Sequence, residues 1–152
     1  MDTLEIKNYL ETNTVTSDAF LNVYALDQLP KKKLTQERWL LICNCCPADR
    51  RGEHWVAMFY ERGGDVEFFD SFGLTPEAYG DAILSFISVQ EQDCAVYSNA
   101  QLQSLESDAC GHYCIMFAYH RCRGESFKAI VEKLNALTRD NVVKFIVSTL
   151  LF

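Results

Sequence analysis

Cys110, His54, Asp70 and Gln103 are the residues of this chain whose types and order fit a single reaction. They stand in three separated pieces: His54-Trp55, then Asp70-Ser71-Phe72-Gly73, then Gln103 leading into Asp108-Ala109-Cys110-Gly111. A thiol nucleophile needs a base, the base needs an orienting carboxylate, and the oxyanion that forms needs donors. All these parts are present. The chemistry they describe is acyl transfer through a thiol, the reaction of a cysteine endopeptidase.

Cys110 falls where a loop, 104–109, gives way to an apolar segment of helical length. Its sulfur is therefore expected near a helix N-terminus, where the macrodipole and unpaired backbone N–H groups favour a thiolate. Gly111 lets a substrate backbone approach closely. Most free cysteines are buried, inert thiols, and Cys114 and Cys122 are read that way. His54 is the expected base, at the start of a strand whose Val56 and Met58 share its face. His112 points around the helix away from the thiol, and His120 is about three turns further along.

Asp70 follows Phe68-Phe69, and a carboxylate among aromatic rings is costly unless paired; His54 is the suitable partner. A register condition follows. A strict two-residue turn at Gly63-Gly64 would set Asp70 opposite Ala57, on the wrong face. An odd-length connection or bulge sets it opposite Val56, diagonal to His54, and this is what we expect. Gln103 offers a side-chain amide which, with the backbone N–H of Cys110, would make an oxyanion hole. Gln101 competes for that role.

These groups need elements to position them. Residues 3–11 read as a short helix with Leu4, Tyr9 and Leu10 on its apolar side, and 20–29 as an extended, loop-like segment closed by Pro30. Trp39 to Cys43 is a continuous apolar run of strand length, the mark of a strand buried on both faces. Strands at 54–60 and 66–70 follow, joined across Gly63-Gly64. Thr75-Pro76-Glu77 opens a helix expected to reach Val89. A further short strand is expected at 94–97. Residues 110–121 form a nearly all-round apolar, buried helix, with helices at 126–137 and 140–150 after it. Strands in the middle and helices at the end predict an α+β fold: a central mixed β-sheet packed against helices, the cysteine at the N-terminus of a buried one. The whole span, 1–152, reads as one domain.

The formal net charge of −7 disfavours a nucleic-acid surface, whose affinity rests on clustered Lys and Arg. Lys31-Lys32-Lys33 and Arg50-Arg51 are the only basic runs, and they read as solvated loop charges. No secretory leader is expected from Met1-Asp2-Thr3-Leu4-Glu5, and no membrane span from the apolar C-terminal stretch. Seven cysteines, three of them at 43, 45 and 46, argue against a disulfide framework and for an intracellular, reducing setting. The spacings Cys43-x-Cys45-Cys46 and Cys110-x-x-x-Cys114 lack the paired C-x-x-C of structural zinc sites, so neither metal nor cofactor is expected.

The residues also resemble a family, the adenain-like cysteine proteases of adenoviruses, related viruses and large DNA transposons, which share a fold with the proteases of ubiquitin-like modifiers. The matching pieces are Gly52-Glu53-His54-Trp55, Phe69-Asp70-Ser71-Phe72-Gly73, and Gln103 through Asp108-Ala109-Cys110-Gly111 to Phe117. Phe20-Leu21-Asn22-Val23-Tyr24 looks like a further family segment, so the likeness covers roughly residues 20 to 120. The resemblance implies His54 as base, Asp70 as orienting acid, Cys110 as nucleophile, Gln103 as oxyanion donor and Trp55 beside the site. It implies cleavage of viral or transposon precursor proteins beside small residues, commonly glycine, in the virion or the host nucleus or cytoplasm. It also implies a protein substrate and, as in adenain, an activating peptide as partners. Cys94 stands roughly where adenain binds that peptide, although the alignment there needs a gap, and it is read as a structural thiol. Adenain carries Glu at the Asp70 position, whereas the modifier-processing branch carries Asp. A protease of ubiquitin-like modifiers is the rival within enzymes. An inactive, protease-fold binding module is the rival outside them. Nothing in the chain demands more than a monomer.

Overall fold

The computed structural model describes residues 1–49, 54–90, 92, 95–137 and 139–149. Helix α1 (Thr3–Thr12) opens with a capping box: Asp2 accepts from the Glu5 N–H at 2.9 Å and Glu5 accepts from the Asp2 N–H at 2.6 Å. Its buried stripe is Ile6 and Leu10, one helical turn apart. Leu4, expected on the apolar side, is exposed, because it lies about 200° around the helix from Ile6.

Strand β1 (Phe20–Ala25) occupies the segment expected to be loop-like, and a 3-10 turn, Leu26–Gln28, follows it. Strands β2 (Arg38–Asn44), β3 (Trp55–Glu61) and β4 (Glu67–Phe69) complete a mixed sheet ordered β1-β2-β3-β4. Strand β1 runs parallel to β2, and the other pairs are antiparallel.

Alternate residues of the central strands feed two cores. Leu40, Ile42, Trp55, Ala57, Phe59 and Phe69 face one layer, where they join residues of α1, α3 (Cys110–Cys122), α4 (Phe127–Ala136) and α5 (Asp140–Thr149). Trp39, Leu41, Cys43, Val56, Met58 and Phe68 face the other, against Ile83, Phe86 and Ile87 of α2 (Asp81–Val89). A sheet covered on both faces accounts for the unbroken apolar run of β2. The architecture is α+β, with a four-stranded mixed sheet packed against helices.

Two further local expectations are corrected. Residues 75–89 are not one helix. A 3-10 turn, Pro76–Tyr79, ends at Gly80, whose φ of 85° and ψ of −170° suit glycine alone, and α2 starts afresh at Asp81. At 94–97 only a single bridge forms, Val96 pairing with Glu67 in parallel, while Cys94 lies outside the described residues.

Candidate active site

The connection between β3 and β4 decides where Asp70 goes. A turn closes from the Gly64 N–H to the Glu61 carbonyl at 3.0 Å, with Gly63 at φ 86°. The ladder then pairs Phe59 with Glu67, Met58 with Phe68 and Ala57 with Phe69. Continued by one residue, that register sets Asp70 opposite Val56 and diagonal to His54, as the odd-length connection requires.

His54 and Asp70 meet directly. His54 Nε2 donates to Asp70 Oδ1 at 2.7 Å, with His54 8% and Asp70 4% exposed. The backbone of His54 is pinned as well: its carbonyl accepts from the Cys45 N–H at 2.9 Å. Asp70 is fully used as an acceptor. Besides His54 it takes the Phe72 N–H at 3.0 Å, the Leu74 N–H at 3.1 Å and the Tyr79 hydroxyl at 2.7 Å. The His54 ring lies nearly parallel to Phe72, centroids 4.5 Å apart, and to Tyr79 at 5.9 Å.

The electrostatics follow from this enclosure. Burial alone would depress the imidazolium of His54, but the hydrogen bond to Asp70 and the proximity of Asp70 and Cys110 outweigh it and raise its pKa to about 9. Burial alone would raise Asp70, but the hydrogen bonds from His54, Tyr79 and Phe72 hold it below the ordinary carboxylate value. Each partner thus favours the charged state of the other.

Cys110 is the first residue of α3 and is 3% exposed. Ala109 before it provides no side-chain cap for the first-turn N–H groups. Asp70 holds His54 Nε2, which leaves Nδ1 for the thiol. Nδ1 is buried and makes no hydrogen bond, while the thiol still stands close enough to raise the ring's pKa. The two are neighbours with no hydrogen bond formed between them. Burial pushes the Cys43 thiol up to about 12 and that of Cys122 to about 11, and it raises Cys114 well above the usual thiol range. All six described cysteines are free.

Gln103 and Gln101 part company. Gln103 is 1% exposed; its Oε1 accepts from Ser71 Oγ at 2.6 Å and its Nε2 donates to the Ser107 carbonyl at 2.6 Å. Gln101 is exposed and donates to the Gln103 backbone carbonyl at 3.1 Å. Trp55 is buried in the α3-side core with Nε1 unpartnered, and its carbonyl accepts from Cys114 Sγ at 3.3 Å. Tyr79 is the site residue that the sequence hid. It falls inside a segment expected to be plain helix, and only the break at Gly80 turns its hydroxyl to Asp70. Among the described residues no group of three or more His, Cys, Asp or Glu could hold a metal ion. Comparison with protein-family models and with curated proteins finds no match for this chain.

Proposed function

We propose that the chain is a cysteine endopeptidase of the adenain-like kind, cleaving viral or transposon precursor proteins beside small residues, glycine among them. The observation that carries this reading is the buried His54–Asp70 hydrogen bond beside a thiol on the first residue of a helix. A structural histidine has no need of a carboxylate on one nitrogen and a free thiol near the other.

In the proposed reaction the Cys110 thiolate, paired with the His54 imidazolium, attacks the peptide carbonyl. The uncommitted N–H of Gln103 Nε2 and the backbone N–H of Cys110 receive the oxyanion. His54 gives its proton to the leaving amine, and a water molecule, with His54 as base, releases the acyl group from the sulfur. Asp70 holds the ring in place and stabilises its charge throughout.

The test is alkylation with iodoacetamide at pH 6, mapped by mass spectrometry, alongside digestion of glycine-rich precursor proteins. Cys110 should label far faster than its companions in wild type, and this selectivity should vanish in His54→Ala. Cys110→Ala should fold normally and lose all turnover. Retention of turnover by Cys110→Ala would falsify the assignment. A Cys110 no more reactive than Cys114 would favour the binding-module reading instead.

A further inference from the structure

The residue after the orienting acid has no role so far, yet it is fully buried and makes three hydrogen bonds to one short segment. The Ser71 carbonyl accepts from the Leu102 N–H and the Gln103 N–H, both at 2.9 Å, and its hydroxyl donates to Gln103 Oε1 at 2.6 Å. The direction of that last bond is forced. The Ser107 carbonyl can only accept, so Gln103 must turn Nε2 toward it and Oε1 toward Ser71. One N–H of Nε2 is then spent on Ser107 and the other remains. The same turn is pressed against residues 99–100: a Cβ on Gly73 would lie 2.7 Å from the Ala100 carbonyl carbon and 2.8 Å from the Asn99 oxygen.

We infer that Ser71 is the positioning residue of the oxyanion donor. Consecutive residues thereby serve opposite halves of the reaction, Asp70 orienting the base and Ser71 orienting the Gln103 amide. Without the hydroxyl, Gln103 Oε1 is left buried and unpaired, and the amide has reason to rotate away from its working direction. The inference rests on the proteolytic reading of the site, and its test separates the two.

Wild type, Ser71→Ala, Gln103→Ala and the double variant are each treated with p-nitrophenyl acetate and, separately, with iodoacetamide. Acetylation forms a bond from Cys110 Sγ to the acetyl carbon, passes through a tetrahedral oxyanion and expels p-nitrophenolate. Alkylation forms a bond from Sγ to the methylene carbon, expels iodide and develops no oxyanion. The thiolate is the nucleophile in both, so only the first reaction reports on Gln103.

Ser71→Ala should slow acetylation by roughly tenfold or more, leave alkylation within about twofold of wild type, and add nothing further in the Gln103→Ala background. Ser71→Cys keeps a weak donor in place and should fall between, and it carries the same comparison if the alanine variant does not fold. Equal acetylation by Ser71→Ala and wild type overturns the inference. So does a parallel loss of both reactions, or an effect that multiplies with that of Gln103→Ala. A wild type in which neither reagent singles out Cys110 overturns the proteolytic reading together with the inference. A reactive Cys110 indifferent to Ser71 overturns the inference alone.

Discussion

Asp70 carries more hydrogen bonds than an orienting carboxylate needs, and this shapes what its removal does. Asp70→Asn keeps a carbonyl oxygen for one donor but loses the charge that sustains the imidazolium. Turnover should fall by roughly a hundredfold, less than the loss caused by Cys110→Ala, as read from kcat with the substrate saturating. Stability should change with pH as well. His54 has its pKa raised from the ordinary 6.5 to about 9, so its contribution is complete below pH 6.5 and disappears as pH rises through 9. Asp70 has its pKa lowered from 3.8, so its contribution is present above that value and lost as pH falls below it. Urea midpoints should therefore hold steady from about pH 4.5 to 6.5 and decline toward pH 9, and the alkaline decline should be absent in His54→Ala. A midpoint that rises between pH 6.5 and 9 would contradict the paired state.

Among the elements, the turn after β4 constrains the site most. Gly73 sits at φ 73° with the Ala100 and Asn99 backbone within 2.8 Å of where a Cβ would stand. Gly73→Ala combines left-handed strain of about 1–2 kcal/mol with a contact that backbone alone must relieve. A loss of at least about 2 kcal/mol is expected by urea titration, and activity should fall beyond what stability explains, since the turn lies between Asp70 and the Gln103 segment. Gly63→Ala strains a turn of similar φ but meets open space, so it should leave the site's chemistry intact. The β3–β4 connection matters for another reason. Strand side chains alternate with period two, so a register shift of one residue would carry Asp70 to the opposite face of the sheet.

At the scale of the molecule the site occupies the end of the sheet, where two separately packed layers meet. His54 and Asp70 follow the parity of Val56 and Phe68, which belong to the α2-side core, whereas Cys110 arrives with α3 from the other side. The thiol therefore reaches the imidazole only if both layers dock on the same sheet. Phe117 of α3 makes that docking specific: it stacks on Phe69 of β4 with centroids 4.6 Å apart and meets Phe127 of α4 edge-on at 5.7 Å. Phe117→Ala should cost about 3–5 kcal/mol in a denaturant titration, and it should slow Cys110 alkylation by loosening the helix that carries it. No helix among the described residues is long and apolar enough to cross a membrane.

Much of this could be read in the chain itself. The apolar run from Trp39 to Cys43, the all-round apolar helix from Cys110 and the glycine pair at 63–64 are local signals. They report burial and turn geometry, which depend on neighbours a few residues away. The order of His54, Asp70 and Cys110 along the chain suggests the proposed chemistry, and the parity argument gives the register that lets the first two meet. Other features answer to partners far off in sequence. Strand β1 has only Val23 buried and becomes a strand because β2 lies beside it in parallel. Tyr79 reaches Asp70 because the chain breaks at Gly80. Gln103 rather than Gln101 is the buried amide because Ser71, 32 residues earlier, holds it. Periodicity records which residues are buried, but the partner that meets each polar group is decided only when distant segments pack, and tertiary structure supplies that.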